Sequence, residues 1–152
     1  MTLHTAIVKT EEEKISSEKA KKFMFSEKNG AESIFIGRVR NENSGKEVTA
    51  VTYDVHDQAV IKSFELICNN AKSKFDKSAS IFLKHAKGYV PVGEISILIA
   101  VSSGHRNEAF KICRYILEEI KHKSPIWKKE HYIEGNEEWL PGHSLRPKEE
   151  IK

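Results

Sequence analysis

The segment that most constrains the fold is a nearly continuous apolar run at residues 95–101, with the sequence ISILIAV. A strand that is apolar at almost every position must be covered on both faces, so this run predicts a strand at the centre of a sheet. A second strand is expected just before it, at residues 79–85, and residues 88–93 join the two. Strands that follow each other this closely usually pair antiparallel.

Three amphipathic segments predict helices, because apolar side chains recur in them at three- and four-residue spacing. The two longer ones cover residues 57–75 and about 104–123, and the proline that follows brings the second to an end. The shorter one is expected to begin after Ser16 or Ser17, either of which can cap it. It runs to about residue 26, and the Asn-Gly pair at 29–30 is expected to close it.

The remaining strand-like segments lie at residues 6–9, 31–39 and 48–55, with a polar loop at 41–46. The tail after residue 126 predicts loop and short strand. Strands in adjacent pairs with helices between the pairs favour an α+β fold, with two layers and a largely antiparallel sheet packed with about three helices. Because the chain has 152 residues and no internal repeat or long linker, one domain is expected over residues 1–152.

Charge and composition exclude several classes of protein. Lys and Arg number 25 against 22 Asp and Glu, an excess too small to indicate nucleic-acid binding. No apolar run approaches the roughly 20 residues of a membrane span, and no signal-peptide pattern opens the chain, which predicts a cytoplasmic protein without a membrane segment. Cys68 and Cys113 lack metal-ligand spacing and fall on apolar helix faces, so we expect buried thiols and no metal site.

Two pairs of basic residues lie where strands end. Arg38 and Arg40 alternate along a strand and can therefore face one anion together, although two solvated charges would show the same pattern. His105 and Arg106 lie between the central strand and a helix, where backbone N–H groups and the helix dipole favour phosphate. A histidine at such a place is as often structural as functional.

The densest basic stretch is residues 121–129, which holds four lysines, one histidine and no acid. A basic helix end is usually a solvated surface, and charge alone favours that interpretation for Lys121. Lys128, however, follows the rigid and apolar sequence Pro-Ile-Trp, which would partly desolvate it. Desolvation and neighbouring cations both lower the pKa of a lysine from about 10.4, and a neutral amine can act as a base or nucleophile.

Taken together, these motifs resemble the large (catalytic) subunit family of molybdopterin synthase. The resemblance rests on FIGRVRN at residues 35–41, Gly-Glu before the apolar strand, SGHR at 103–106, and KHKSPIWKKE at 121–130, and it spans about residues 33–139. It implies an α+β sulfurtransferase subunit that forms a homodimer within a heterotetramer. Each copy would bind a small ubiquitin-like subunit whose C-terminal thiocarboxylate supplies sulfur to cyclic pyranopterin monophosphate, forming the molybdopterin dithiolene.

The resemblance also assigns roles to individual residues. Lys121 and Lys128 match the two essential lysines of the family. Substrate binding is assigned to six further residues: Arg38, Arg40, His105, Arg106, Lys129 and Glu130. No metal and no cofactor is implied for this chain. Two positions depart from the family: His143, with Arg146 nearby, stands where a dimer partner usually supplies an arginine, and His85-Ala-Lys-Gly replaces a His-Arg-x-Gly turn.

Other interpretations stay open at the level of sequence. A non-catalytic module could bind RNA or a nucleotide in the same basic pocket, but the aromatic residues do not interleave with the basic ones along a strand. An inactive synthase-like scaffold is also possible, although both lysines are retained. A helix from about 105 to 121 is roughly 24 Å long, so one small substrate cannot touch both of its ends. Either the helix bends, or the tail folds back, or His105 and Arg106 reach the lysines of a second copy of the chain; we favour the last, because it fits a dimer with a shared site.

Overall fold

The computed structural model describes residues 1–133 and 137–139. In chain order its elements are β1 (Leu3–Lys9), α1 (Ser17–Met24), β2 (Ala31–Arg38), β3 (Glu42–Asn43), β4 (Lys46–Val55), α2 (Asp57–Phe75), β5 (Ser80–Pro91), β6 (Ile95–Ser103), α3 (Arg106–Lys123), β7 (Ile126–Tyr132) and β8 (Glu137–Trp139). The predicted α+β class, with a largely antiparallel sheet and three helices in the described residues, is confirmed.

The strands pair in the order β2-β6-β5-β4-β7-β8, with β3 added to β4 and β1 added to β5. Only the pairing of β1 with β5 is parallel among these described strands. The long strand β5 links two parts of the sheet, because residues 80–85 pair with β6 whereas residues 88–91 pair with β4. The predicted connecting segment 88–93 is therefore mostly strand.

The core confirms the central position of β6. Its residues from Ser96 to Ser103 are all buried, and its neighbours are β2 and β5. Helix α3 packs on β2 and β6, and α2 packs on α3 and β1. Large apolar side chains with no exposed surface come from α2, β5, β6 and α3, among them Phe64, Ile81, Leu98, Ile112 and Ile116. Each such side chain stabilises the fold by about 1.5–3 kcal/mol relative to exposure.

The first helix begins as the sequence predicts and ends differently. The Ser16 side chain accepts a hydrogen bond from the Glu18 N–H at 3.1 Å and so caps α1. The expected closure by Asn-Gly is wrong, because Phe25 already leaves helical geometry with ψ of 128°. Gly30 instead lies against β6, where a Cβ would stand 3.1 Å from the Gly104 carbonyl oxygen.

The tail after residue 126 is more regular than expected. Strand β7 has seven residues and pairs with β4 over nearly its whole length, and β8 adds to its other edge. The polar residues 41–46, expected as a loop, include the short strand β3 and the turn of a hairpin with β4. No helix in the described part of the chain is long and apolar enough to cross a membrane.

His85 is a fully buried titratable residue at the junction between the two parts of the sheet. Its ring meets Tyr53 edge-on at 4.9 Å and Phe64 at 6.5 Å, and Nδ1 lies 2.6 Å from the Ala86 carbonyl oxygen. Nε2 has no partner among the described residues. Burial, opposed by the hydrogen bond to Ala86, lowers the pKa of His85 from 6.5 to about 4.

We predict that this histidine makes the fold sensitive to acid. Because the unfolded chain takes up the proton more readily, stability is lost as the pH falls below 6.5 toward 4. Between pH 7 and pH 5 the loss from this one residue amounts to roughly 2 kcal/mol. Urea unfolding at both pH values measures it, and His85→Leu should show a correspondingly smaller loss than the parent.

His56→Gln is the matched control, since His56 is exposed at the start of α2. That variant should lose as much stability on acidification as the parent. Equal pH dependence in His85→Leu and in the parent would contradict the role of His85.

Candidate active site

Strand β7 brings Lys128 and Glu130 to the inner face of the sheet. Pairing with β4 sets Lys128 opposite Tyr53 and Glu130 opposite Val51. Because side chains alternate along a strand, Ile126, Lys128 and Glu130 share one face. Ile126 is fully buried and Glu130 is 4% exposed, and Lys128 is partly buried between them. The alternation therefore places a lysine amine and a carboxylate at the edge of the core.

The turn between α3 and β7 places Lys121 near Lys128. Helix α3 ends at Lys123, and the Ser124 N–H donates to the Ile120 carbonyl at 3.1 Å. The Ser124 hydroxyl lies 2.9 Å from the Ser63 hydroxyl, which ties the turn to α2. Lys121 is on the last turn of the helix, close enough for its charge to lower the pKa of the Lys128 amine. Lys121 and Lys128, the two lysines predicted from the sequence, therefore lie near each other.

A small polar recess of about 70 Å³ lies in front of Lys128. It is bounded by β2, the β3–β4 hairpin, β4 and β7, through Arg38, Val39, Arg40, Glu42, Asn43, Val51, Tyr53, Lys128 and Glu130. Burial lowers the pKa of Lys128 most, Arg40 and Lys121 lower it further, and Glu130 opposes them. A lysine in this setting loses its proton more easily than a solvated one, which suits proton transfer.

The two arginines at the end of β2 differ in their surroundings. Val39 is buried between them, with its N–H bonded to the Glu94 carbonyl at 3.1 Å and its carbonyl bonded to the Gly93 N–H at 2.8 Å. The Arg38 guanidinium donates to the Gly93 carbonyl at 2.8 Å, so it also fixes the β5–β6 turn. Arg40 is exposed and lines both the recess and a wider cleft of about 410 Å³ along residues 40–44. Of the pair, Arg40 is the cation whose charge acts on Lys128.

The carboxylate of Glu130 is held by two donors. Asn43 donates through Nδ2 to Oε1 at 2.7 Å, and the Tyr132 hydroxyl donates to the same oxygen at 3.0 Å. The Lys46 ammonium lies over the Tyr132 ring, 4.9 Å from its centroid. Glu130 therefore connects the β3–β4 hairpin to β7 beside Lys128.

Lys129 does not line this recess. As the neighbour of Lys128 on β7 it points to the opposite face, where its ammonium lies 3.3 Å from the Glu137 carboxylate. His131 shares that face, with Nδ1 3.1 Å from the same carboxylate and Nε2 2.7 Å from the Thr52 hydroxyl.

His105 and Arg106 lie at the far end of α3. Both are exposed, and His105 lines a different cavity, of about 350 Å³, together with Asp76. The Asp76 carboxylate accepts hydrogen bonds from the Ser103 hydroxyl, the Ser78 N–H and hydroxyl, and the Gly104 N–H. The N–H of Gly104, just before this helix start, is therefore already used within the chain.

Within one copy of the chain, His105 and Arg106 lie far from the recess that contains Lys128. Helix α3 has 18 residues and is unbroken from Arg106 to Lys123, so its ends stand roughly 27 Å apart. The recess holds Arg38, Arg40, Lys128 and Glu130. His143 and Arg146, at the position where the family has an arginine from the dimer partner, lie outside the described residues.

Several residues of the recess were not singled out from the sequence: Glu42, Asn43, Val51 and Tyr53. Val51 and Tyr53 alternate on the predicted strand at 48–55, and that spacing could have placed them on one face. Asn43 and Glu42 are in a polar segment whose composition predicts only a turn, so no local signal distinguishes them.

Comparisons with known proteins identify the family. The family model described as MoaE protein matches residues 10–123. The molybdopterin synthase catalytic subunit of Synechococcus elongatus is 39% identical over 126 residues, which cover 83% of this chain and 76% of that protein. The subunit of the same name from Pyrococcus abyssi is 38% identical over 130 residues, covering 86% of each.

Solved structures show the same fold. The crystal structure of molybdopterin synthase from Staphylococcus aureus matches with a TM-score of 0.82 and 30% identity, covering 90% of this chain and 96% of that one. A complex of subunits 1 and 2 of the molybdopterin-converting factor from Helicobacter pylori matches with a TM-score of 0.72 at 21% identity, covering 95% and 93%. The chain belongs to the MoaE family, the catalytic subunits of molybdopterin synthase.

Proposed function

We propose that the recess between Arg40 and Lys128 is where this subunit transfers sulfur from the thiocarboxylate of a small ubiquitin-like subunit to cyclic pyranopterin monophosphate. The observation that carries the proposal is the partly buried Lys128 amine, whose pKa is lowered by burial, Arg40 and Lys121. A cationic recess with a proton-accepting group suits an anionic substrate whose reaction requires proton transfer.

Each side chain has a distinct role in this proposal. Arg40, with Arg38 beside it, binds the cyclic phosphate, because guanidinium groups pair with phosphate through two parallel hydrogen bonds. Lys121 lies next to the thiocarboxylate and offsets the negative charge that develops during transfer. Lys128 is the general acid–base that moves the proton. Glu130 keeps a counter-charge near Lys128, and the place of Lys129 on the opposite face leaves it a role outside the recess.

The small subunit is the partner that supplies sulfur. The Helicobacter pylori neighbour is a complex of subunits 1 and 2 of the molybdopterin-converting factor, and we propose the same kind of pairing here, in the cytoplasm. Since a dithiolene contains two sulfur atoms, two small subunits, each carrying a thiocarboxylate, must be used in turn. Neither a metal nor a cofactor has a step in this scheme.

The arrangement of α3 supports a site shared between two copies of the chain. His105 and Arg106 are exposed and too far along the helix to meet Lys128 of their own copy. In a homodimer they can reach the lysines of the second copy and add two donors for the phosphate. Such a dimer, with one small subunit on each copy, is a heterotetramer.

Replacement of Lys128 should abolish most of the activity. Lys128→Ala is expected to lower dithiolene formation by about 10²–10⁴-fold, because a general acid–base contributes that much. Lys128→Arg should not restore the rate, since a guanidinium does not deprotonate near neutral pH. The assay mixes the protein with thiocarboxylated small subunit and the cyclic phosphate, and follows the dithiolene product.

Lys123→Ala is the matched control, because Lys123 is exposed on the same helix end and paired with Glu119. Lys121→Ala should lose activity with Lys128→Ala, whereas the control keeps the parental rate. Full product formation by Lys128→Ala or by Lys121→Ala would contradict this assignment of roles.

Removing either of two charges near Lys128 should shift the pH dependence of the rate, in opposite directions for the two. As a base, Lys128 must be neutral, so the rate rises with pH through its pKa. Arg40→Gln removes a cation that lowers this pKa, and the rising limb should move to higher pH. Glu130→Gln removes an anion that raises the pKa, and the limb should move to lower pH. Single-turnover rates between about pH 6 and 10 measure both shifts; shifts of the same sign would rule out Lys128 as the titrating group.

Mixing two inactive variants tests whether the site is shared. If Arg106 of one copy serves Lys128 of the other, dimers of Arg106→Ala with Lys128→Ala contain one intact site and one doubly defective site. Random pairing then restores about a quarter of all sites, whereas a site confined to one copy restores none. Activity is measured after the two variants are denatured together and refolded, with each variant refolded alone as the control.

A further inference from the structure

We propose that Asn43 is a positioning residue for this site: its side chain fastens the β3–β4 hairpin to Glu130 and thereby builds the wall of the recess beside Lys128. The inference rests on the proposed function of the recess. Asn43 and Glu42 both line it. The hairpin is thus part of the site, although it carries none of the residues assigned to catalysis.

The contact between hairpin and strand is specific. The Asn43 amide donates to Glu130 Oε1 at 2.7 Å, and that carboxylate is 4% exposed. The Tyr132 hydroxyl donates to the same oxygen, and Lys46 on the other arm of the hairpin covers the Tyr132 ring. Hydrogen bonds to a charged group are about twice as strong as neutral ones. Both arms of the hairpin are therefore attached to the β7 segment that holds Lys128.

Apolar packing does little to hold the hairpin. Its turn is formed by Ser44 and Gly45, both with positive φ (51° and 79°), as a tight two-residue turn requires. Ser44, Gly45, Lys46 and Glu47 are exposed, and the first buried apolar side chain after the turn is Val48. Segments with few buried contacts open locally at low free-energy cost. The β3 arm is therefore held by its backbone pairing with β4 and by the contact of Asn43 with Glu130, whereas the β4 arm is also held by the Ile133 N–H, which donates to the Glu47 carbonyl at 3.1 Å.

The position of the hairpin affects Arg40 and Glu130, two charged groups that shift the pKa of Lys128. Arg40 lies immediately before the hairpin and lines both the recess and the wider cleft along residues 40–44. A hairpin released from Glu130 would let Arg40 move into that cleft and would expose the carboxylate to water. Asn43 thus acts on catalysis through Arg40 and Glu130, without touching the reacting atoms.

The charged and titratable groups that line the recess or contact Glu130 come from every element around it. They are Arg38 and Arg40 at the end of β2, Glu42 on the hairpin, Tyr53 on β4, and Lys128 and Tyr132 on β7. This set holds three cations, Arg38, Arg40 and Lys128, and one other acid, Glu42. A second carboxylate in place of the Asn43 amide would repel Glu130 at short range.

The decisive experiment compares Asn43→Ala, Asn43→Asp and the control Asn70→Ala, which alters an exposed asparagine on α2. For Asn43→Ala we expect the KM for the cyclic phosphate to rise roughly tenfold or more, because losing a hydrogen bond to a charged group shifts the hairpin toward its released position by about that factor. Its melting temperature should stay near that of Asn70→Ala, because the hairpin contributes little to the core.

Asn43→Asp separates positioning from a merely structural role through its pH profile. At neutral pH two facing carboxylates repel, and the hairpin should be released as in Asn43→Ala. As the pH falls the two can share one proton, so the rate of Asn43→Asp relative to the parent should recover, whereas that of Asn43→Ala should not. Hydrogen exchange of the Val48 amide, which donates to the Asn41 carbonyl at 2.9 Å, reports hairpin opening without any assay of activity.

The outcomes distinguish this inference from the proposed function. Loss of activity in Lys128→Ala together with an unchanged KM and unchanged Val48 exchange in Asn43→Ala would overturn the role of Asn43 and leave the site in place. Full activity in Lys128→Ala would overturn the proposed function itself. A rise in KM for Asn43→Ala with no acid recovery of Asn43→Asp would also contradict the contact with Glu130.

Discussion

The pairing of β7 with β4 is the interaction on which the candidate site depends. Because side chains alternate, this one register sets Lys128 and Glu130 on the inner face and leaves Lys129 on the outer face. A slip by one residue would exchange the two faces and place Lys129 in the recess. The fully buried Ile126 side chain at the first position of β7 and the Ser124–Ser63 contact before it prevent such a slip. The core thereby determines which of the two neighbouring lysines faces the recess.

Placing an amine in this position costs stability, and the surroundings limit that cost without removing it. Burial and the charges of Arg40 and Lys121 all favour the neutral form of Lys128, while Glu130 favours the charged form. A stronger ion pair would stabilise the fold and return the lysine to its ordinary pKa, where it is a poor base at neutral pH. Glu130 also accepts hydrogen bonds from Asn43 and Tyr132, so part of its charge is already satisfied. The balance suits a group that must both take and release a proton.

The sequence predicts most of the fold and only part of the site, for physical reasons that differ between segments. The run at 95–101 and the amphipathic helices repeat their patterns over many residues, so tertiary contacts rarely override them. Strand β7 shows no alternation in hydrophobicity, because Lys128 and Glu130 occupy positions on the inner face that an ordinary strand gives to apolar residues. The resemblance to the family identifies Lys128 where periodicity does not. It also groups Lys129 with Lys128, although neighbours on a strand face opposite ways, and it offers nothing for Asn43.

The two ends of α3 favour a dimeric site on electrostatic grounds as well as by distance. Asp76 already accepts the Gly104 N–H and the Ser103 hydroxyl, so its carboxylate offsets the positive end of the helix dipole within the same copy. A phosphate bound there by backbone N–H groups alone would be repelled by the Asp76 carboxylate. Any attraction for an anion at this end of α3 must therefore come from the side chains of His105 and Arg106. Both follow Asp76 in the sequence, and both are exposed. Because these cations lie at the surface and away from the lysines of their own copy, their position is consistent with the proposed site shared between two copies.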